Sequence, residues 1–255
     1  MFFDSHAHYY DEQYNPDREE VLKKAYDSGV KHILSASSDV ASAIENISLA
    51  RQFDFVYAAV GVHPHDAGDF NENILSAIAD FASQPKVVAI GEIGLDYFYD
   101  NAPREAQKIA FARQISLALD LKLPIIVHDR DAHEDTLAIL KNENAKTTGG
   151  VLHCFTGSVE MAREVLKNNF YISIAGPVTF KNARKLIDVV KYIPDDRLMI
   201  ETDCPYLTPE PFRGKRNDSS YIRYTADKIA EIKGRSVEEI ARITTENARR
   251  LFNID

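Results

Sequence analysis

The chain has 255 residues, 45% of them hydrophobic and 27% charged, a globular composition that excludes a disordered or fibrous protein. Its length matches a single (β/α)8 barrel, for which about 250 residues is typical. A net charge of −9 and a pI near 5.4 exclude the basic footprint that draws nucleic acid from a distance. A polyanionic substrate would therefore have to be held by metals and a few local basic residues.

The predicted elements alternate without a break. Strand-like apolar runs fall near residues 2–6, 31–35, 55–61, 86–92, 123–128, 150–153, 169–174 and 197–203. Helical patterns fall near 16–28, 40–52, 71–83, 103–121, 131–143, 158–168, 180–192, 220–233 and 236–252. Gly29 suits the residue just past the first helix, and Pro103 suits a first helical turn. Ser158 and Ser236 suit N-caps, and Ser236 with Glu239 reads as a capping box. Strict alternation argues for a parallel sheet with right-handed crossovers, and eight units in this length favour a closed α/β barrel of the TIM type. No linker or low-complexity stretch divides the chain, so residues 1–255 are expected to form one domain. The longest irregular stretch, 204–219, follows the eighth strand and so falls at the mouth, where active sites of this fold lie. No apolar run reaches the ~18 residues of a membrane helix. The start, MFFDSHAHYYDEQ, lacks a basic region followed by an apolar one. The expectation is a cytoplasmic protein with no membrane association.

The chemistry sits where the strands end. His6 and His8 close the first strand, His63 the third, Glu92 the fourth, His128 the fifth, His153 the sixth, and Glu201 and Asp203 the eighth. Residues two apart on a strand face the same way, so His6 and His8 can chelate one ion. Glu201 and Asp203 then form a buried acidic pair, costly unless cations or hydrogen bonds compensate. Imidazoles and carboxylates collected at one mouth suit divalent metals. Asp203, Glu92 and Glu201 are the catalytic candidates. Asp203 serves as ligand and proton acceptor, Glu92 can bridge two ions, and Glu201 lies behind as the partner that orients a ligand histidine. Asp4 also faces inward and is expected to hold an imidazole. Gly91 and Gly94 flank Glu92 and suggest close backbone approach.

Substrate handling falls to His63, to Arg130 as a fork for phosphate, to Thr156 at a helix start, and to Arg213 and Lys215 in the long loop. Arg216 completes a basic knot there. Cys154 and Cys204 each follow a candidate ligand, and strand alternation makes both buried, reduced thiols. His32 and His133 read as structural, and Asn247 as a buried cap or loop anchor.

The motifs DSHAH, GVHPH, IGEIGLDY, IVHDRDA, HCFTG, ETDCPYL, PFRGKRN and TTENARRLF, in that order and across essentially the whole chain, resemble the TatD family of metal-dependent hydrolases. The resemblance implies a (β/α)8 barrel with two cations at the C-terminal ends of the strands, and phosphodiester hydrolysis, usually of DNA. It implies one ion held by His6, His8, Glu92 and Asp203 and the other by Glu92, His128 and His153. One departure is visible: after RGKRN the family commonly continues with an acid, Pro and Ala, where this chain has Asp218, Ser219 and Ser220. Zinc, manganese, magnesium, cobalt and nickel all suit the donors. The expected activity is a metal-dependent deoxyribonuclease with nucleic acid as its substrate, and a monomer is compatible with the sequence. The rival readings are hydrolysis of a carboxylic ester or amide, such as an aminoacyl-tRNA ester, and a non-catalytic barrel that only binds.

Overall fold

The computed structural model describes residues 1–254. The strands are β1 (Phe2–Ala7), β2 (Val30–Ala36), β3 (Val56–Val60), β4 (Val87–Asp96), β5 (Ile125–Arg130), β6 (Gly150–Leu152), β7 (Phe170–Ile174) and β8 (Leu198–Ile200). The helices are α1 (Arg18–Asp27), α2 (Val40–Gln52), α3 (Glu72–Ala82), α4 (Arg104–Leu121), α5 (His133–Asn142), α6 (Val159–Lys167), α7 (Arg184–Tyr192), α8 (Ile222–Lys233) and α9 (Val237–Phe252). The strands form one sheet in chain order. It closes where Ala7 bridges in parallel to Cys204, just beyond β8. There the His8 N–H donates to the Cys204 carbonyl at 2.8 Å and the Asp203 N–H to the His6 carbonyl at 3.0 Å. The fold is a (β/α)8 barrel.

Contacts group the residues into two compact units. One comprises Met1–Ser35, His153–Ala162 and the chain from Ile172 onward. Here β1 pairs with β2 (Phe3 opposite His32) and β7 with β8 (Ile174 opposite Ile200), both in parallel. Helix α9 covers β1 and β8 because Ile240, Ala241, Thr244, Thr245, Ala248 and Phe252 recur at helical spacing and are buried. The ring of Phe3 lies 6.1 Å from that of Phe252 and 5.3 Å from that of His32. Burying a side chain of this size stabilises the fold by ~1.5–3 kcal/mol. The capping box forms: Ser236 Oγ accepts from the Glu239 N–H at 3.2 Å, and Glu239 Oε2 accepts from the Ser236 N–H at 2.9 Å.

The other unit comprises Ala36–Leu152 and Arg163–Tyr171 and carries the parallel run β3, β4, β5, β6. Its strand ends are held by two buried glutamines of α4. Gln114 takes the Val62 N–H at 2.7 Å and donates to the Val62 carbonyl at 3.1 Å. Gln107 does the same for Asp96, at 2.9 and 3.2 Å. Each amide stands in for the neighbouring strand that the backbone lacks at this point. Gly94, at φ +146°, faces His128, and a Cβ here would sit 2.0 Å from the His128 carbonyl oxygen, so only glycine allows β4 and β5 to approach so closely.

Several boundaries differ from those the sequence predicts. Strand β4 runs on to Asp96, whereas β8 stops at Ile200 and β6 at Leu152. Glu201, Asp203, His153 and Cys154 therefore lie beyond their strands, where alternation no longer fixes their direction. Asp203 and Cys154 have φ of +56° and +40°. Cys204 is fully buried as expected, but Cys154 is partly exposed. Helix α7 starts at Arg184, because Gly176–Thr179 forms a separate 3₁₀ turn begun by Pro177.

Asn247 is the anchor on the side of the barrel opposite the mouth. Its Nδ2 donates to the carbonyls of Asp195 at 2.7 Å and Leu198 at 2.8 Å, where β8 begins. Asn247→Ala removes this donor from both carbonyls and should lower stability by about 2–4 kcal/mol, read as a fall in the urea midpoint, with turnover unchanged.

Candidate metal centre

The unit that contains β1 and β8 gathers three ligand atoms on one point. His6 Nε2 and His8 Nε2 lie 3.1 Å apart, and Asp203 Oδ1 is 3.1 Å from His8 Nε2 and 3.7 Å from His6 Nε2. Metal bonds of about 2.0–2.2 Å in tetrahedral array separate neighbouring ligand atoms by roughly 3.3–3.5 Å, so the triangle fits a divalent ion. The His6 side chain is fully buried and those of His8 and Asp203 nearly so. Burial acts to raise the Asp203 pKa, but the hydrogen bond with His8 and the charges of His8, His153 and His6 outweigh it and hold the group below its usual value. His153 stacks on His6 at a ring separation of 3.9 Å, with its Nδ1 3.3 Å from Glu201 Oε1. That oxygen also accepts from the Cys154 N–H at 2.7 Å.

Asp4 does not hold an imidazole, contrary to the expectation from its position on β1. Its carboxylate is taken up by the loop instead. Oδ1 accepts from the Thr202 N–H at 2.9 Å, and Oδ2 from Thr202 Oγ1 at 2.5 Å and Ser219 Oγ at 2.6 Å. Burial pushes its pKa up to about 7 against these hydrogen bonds. Ser219 N–H in turn donates to Tyr9 Oη at 3.1 Å, a bond that a proline at this position could not make. Asn217 Nδ2 donates to the carbonyls of Thr202 and Tyr206 at 2.9 and 2.7 Å, which completes the anchorage of the long loop.

The second unit holds a second group. His128 Nδ1 meets Glu92 Oε1 at 2.7 Å, and His63 Nε2 stands 3.4 Å from the same oxygen. His63 Nδ1 accepts from the His65 N–H at 3.2 Å, so the proton of a neutral ring sits on Nε2. Burial pushes the His63 pKa down to about 4, which keeps the ring neutral at pH 7. His63 is thus set as a hydrogen-bond donor towards Glu92, although its position alone would admit it as a ligand. Behind His128 stands Asp96, a residue the sequence reading missed. Its Oδ2 lies 3.2 Å from His128 Nε2 and 2.9 Å from His65 Nε2, the arrangement of a carboxylate that orients a ligand histidine from outside. Burial acts to raise the Asp96 pKa, but hydrogen bonds from His128, the Tyr99 N–H and His65 outweigh it and hold the group well below the usual carboxylate range. Once β4 is continued past Glu92, alternation puts residues 92, 94 and 96 on one face, and that was the available signal.

Apart from the buried His63, the substrate candidates are exposed. Arg130 and Thr156 are exposed, and Ser158 Oγ accepts from the Met161 N–H at 3.3 Å to start α6. Arg213 and Lys215 are exposed, with the Arg213 guanidinium over the Phe180 ring. Arg216 is drawn away into an ion pair with Asp17 and so leaves the basic knot. His133 pairs with Asp129 at 2.7 Å.

A (β/α)8 barrel whose strand ends carry histidine–carboxylate groups of this geometry is the framework of a metal-dependent hydrolase. The family model for TatD related DNase matches residues 3–253. A Bacillus subtilis (strain 168) protein described as the uncharacterized metal-dependent hydrolase YabD is 54% identical over 255 residues, with 100% of both chains covered. The 3'-5' ssDNA/RNA exonuclease TatD of Salmonella typhimurium is 36% identical over 248 residues, 95% of each chain. The crystal structure of YJJV, a TatD homolog from Escherichia coli K12, superposes with a TM-score of 0.94 at 30% identity, covering 100% of this chain and 98% of that one. The chain belongs to the TatD family and is a metal-dependent hydrolase.

The two thiols differ in environment. Burial, with the charge of Asp4, pushes the Cys204 pKa up to about 12, whereas Cys154 is partly exposed. Titration with a thiol reagent should therefore modify Cys154 alone in the folded chain and both cysteines in denaturant. Rapid native modification of Cys204 would contradict the burial described here.

Proposed function

We propose that this hydrolase cleaves phosphodiester bonds of nucleic acid, most simply DNA, with two divalent cations. The single observation that carries the reading is the triangle of His6 Nε2, His8 Nε2 and Asp203 Oδ1, spaced as metal ligands are spaced. In this reading His6, His8 and Asp203 would hold one cation and His128 and His153 the other, with Glu92 available to either. The cations, when bound, supply Lewis acidity for a phosphoryl oxygen and make water acidic enough to attack near neutral pH. Asp203, kept ionised by the histidines around it, accepts the proton of the attacking water. Glu201 and Asp96 fix the rings of His153 and His128 and so determine which nitrogen faces the ligand. The His63 Nε2–H is available to a phosphoryl oxygen once Glu92 turns to other partners. Arg130, Arg213 and Lys215 supply the few basic contacts that an acidic chain can offer a polyanion. The name of the Salmonella relative, a single-strand DNA and RNA exonuclease, supports the choice of a phosphodiester over a carboxylic ester.

Adding Mn2+ or Zn2+ to chelator-treated protein should raise the melting temperature, since an ion at 100 times its Kd stabilises the folded state by about 2.7 kcal/mol. Activity should vanish in chelator. An unshifted melt together with full activity in chelator would remove the metal reading.

The two acids past β8 should separate in a mutational test. Asp203→Asn, read as turnover of a labelled oligonucleotide at saturating metal, should lose about 10²–10⁴-fold through loss of the proton acceptor alone. Glu201→Gln should lose only about 10–100-fold in turnover or metal affinity. Equal losses would reverse the two roles.

A further inference from the structure

Two aromatic rings stand in water beside the second ligand group, and nothing in the proposed hydrolysis uses them. Phe98 is 56% exposed and Tyr99 54%, an unusual state for adjacent large rings in a folded chain. They meet edge to face at 5.0 Å. The Arg130 guanidinium lies 4.2 Å from the Phe98 ring centre and 4.8 Å from that of Tyr99. The exposure is not looseness. Asp96 Oδ1 accepts from the N–H groups of both Phe98 (3.0 Å) and Tyr99 (2.8 Å), and Gln107 clamps Asp96 itself. The other oxygen of the same carboxylate holds His65 and His128, and the His65 ring contacts that of Tyr99 at 5.4 Å. One buried acid therefore ties the aromatic pair to a candidate metal ligand.

We propose that Phe98, Tyr99 and Arg130 form a stacking subsite for an unpaired nucleobase next to the scissile phosphate, a reading that rests on the proposed nucleic-acid substrate. Base faces stack on aromatic rings and guanidinium planes, whatever the base. Arg130 adds a positive charge directly beside the two rings. A base inside a duplex presents no free face, so the subsite selects single strands or frayed ends. Arg130 thereby acts as part of a stacking surface and less as the phosphate fork that its position suggested.

The test is binding, without turnover. A short single-stranded oligothymidylate with hydrolysis-resistant linkages and one 2-aminopurine base is titrated with the chain in Mn2+, following anisotropy for binding and fluorescence quenching for stacking. The parent chain should bind and quench. Stacking worth about 1–3 kcal/mol per base corresponds to roughly 5–150-fold in affinity, so Phe98→Ala and Tyr99→Ala should each weaken binding within that range and reduce quenching. Tyr99→Phe should preserve both, and melting temperatures should be unchanged because the rings are exposed. Replacing the 2-aminopurine with an abasic site should weaken binding to the parent but not to a Phe98→Ala/Tyr99→Ala double variant. Absence of quenching by the parent, or equal quenching by the alanine variants, overturns the subsite. Failure of the parent to hydrolyse any phosphodiester, small esters included, would instead overturn the proposed function, and the two failures are separately visible.

Discussion

Where a parallel strand stops at the mouth of a barrel, its last N–H and C=O groups lose their neighbours, and the site depends on what replaces them. This chain uses buried side chains. Gln114 completes Val62, Gln107 completes Asp96, and Asp4 receives the Thr202 N–H that follows β8. Buried backbone groups left unpaired would cost about 1–3 kcal/mol each, enough to fray the strand ends that carry the histidines. The polar residues that satisfy the backbone are therefore also the ones that hold the ligands still.

Carboxylates do this work in two distinct ways. Asp203 and Glu92 meet histidines with their oxygens and can turn to cations. Asp4 and Asp96 have both oxygens committed to N–H and O–H donors, and Glu201 Oε1 receives the Cys154 N–H, so these acids act on the candidate ligands through position. The division explains how each unit accommodates several buried acids in a chain of net charge −9. Hydrogen bonds offset the burial of Asp4 and Asp96, and neighbouring histidines offset that of Asp203 and Glu92.

Much of this was legible in the sequence. Apolar runs alternating with amphipathic ones specified eight strands and nine helices, and Ser236 with Glu239 specified the start of α9, because these features depend on local spacing. The candidate ligands were legible because polar residues at strand ends have no local reason to be there. Residues that act over long range were not. Asp96 was hidden because the apolar run ends at Glu92, whereas β4 continues past Gly94, which lies close against His128 of β5. Gln107 and Gln114 carry no local signal in the sequence, and only the fold brings α4 onto the ends of β3 and β4. Ser219 looked like a departure from pattern, and its partners, Asp4 and Tyr9, lie more than two hundred residues earlier. The alternation rule failed beyond Leu152 and Ile200 for a plain reason: the period of two belongs to extended backbone, and Cys154 and Asp203 are in left-handed conformations.

The exposed pair Phe98 and Tyr99 also bears on how the molecule behaves among its own copies. Adjacent aromatic rings held rigidly in water are adhesive, because any second apolar surface gains by covering them. The same acidic surface that weakens long-range attraction for polyanions gives every copy a like charge, and that repulsion acts before the rings can touch. Colloidal stability and capture of the proposed polyanionic substrate are thus opposed through one quantity. Added salt, by screening the repulsion, shifts the molecule towards self-association even where the fold itself is untouched.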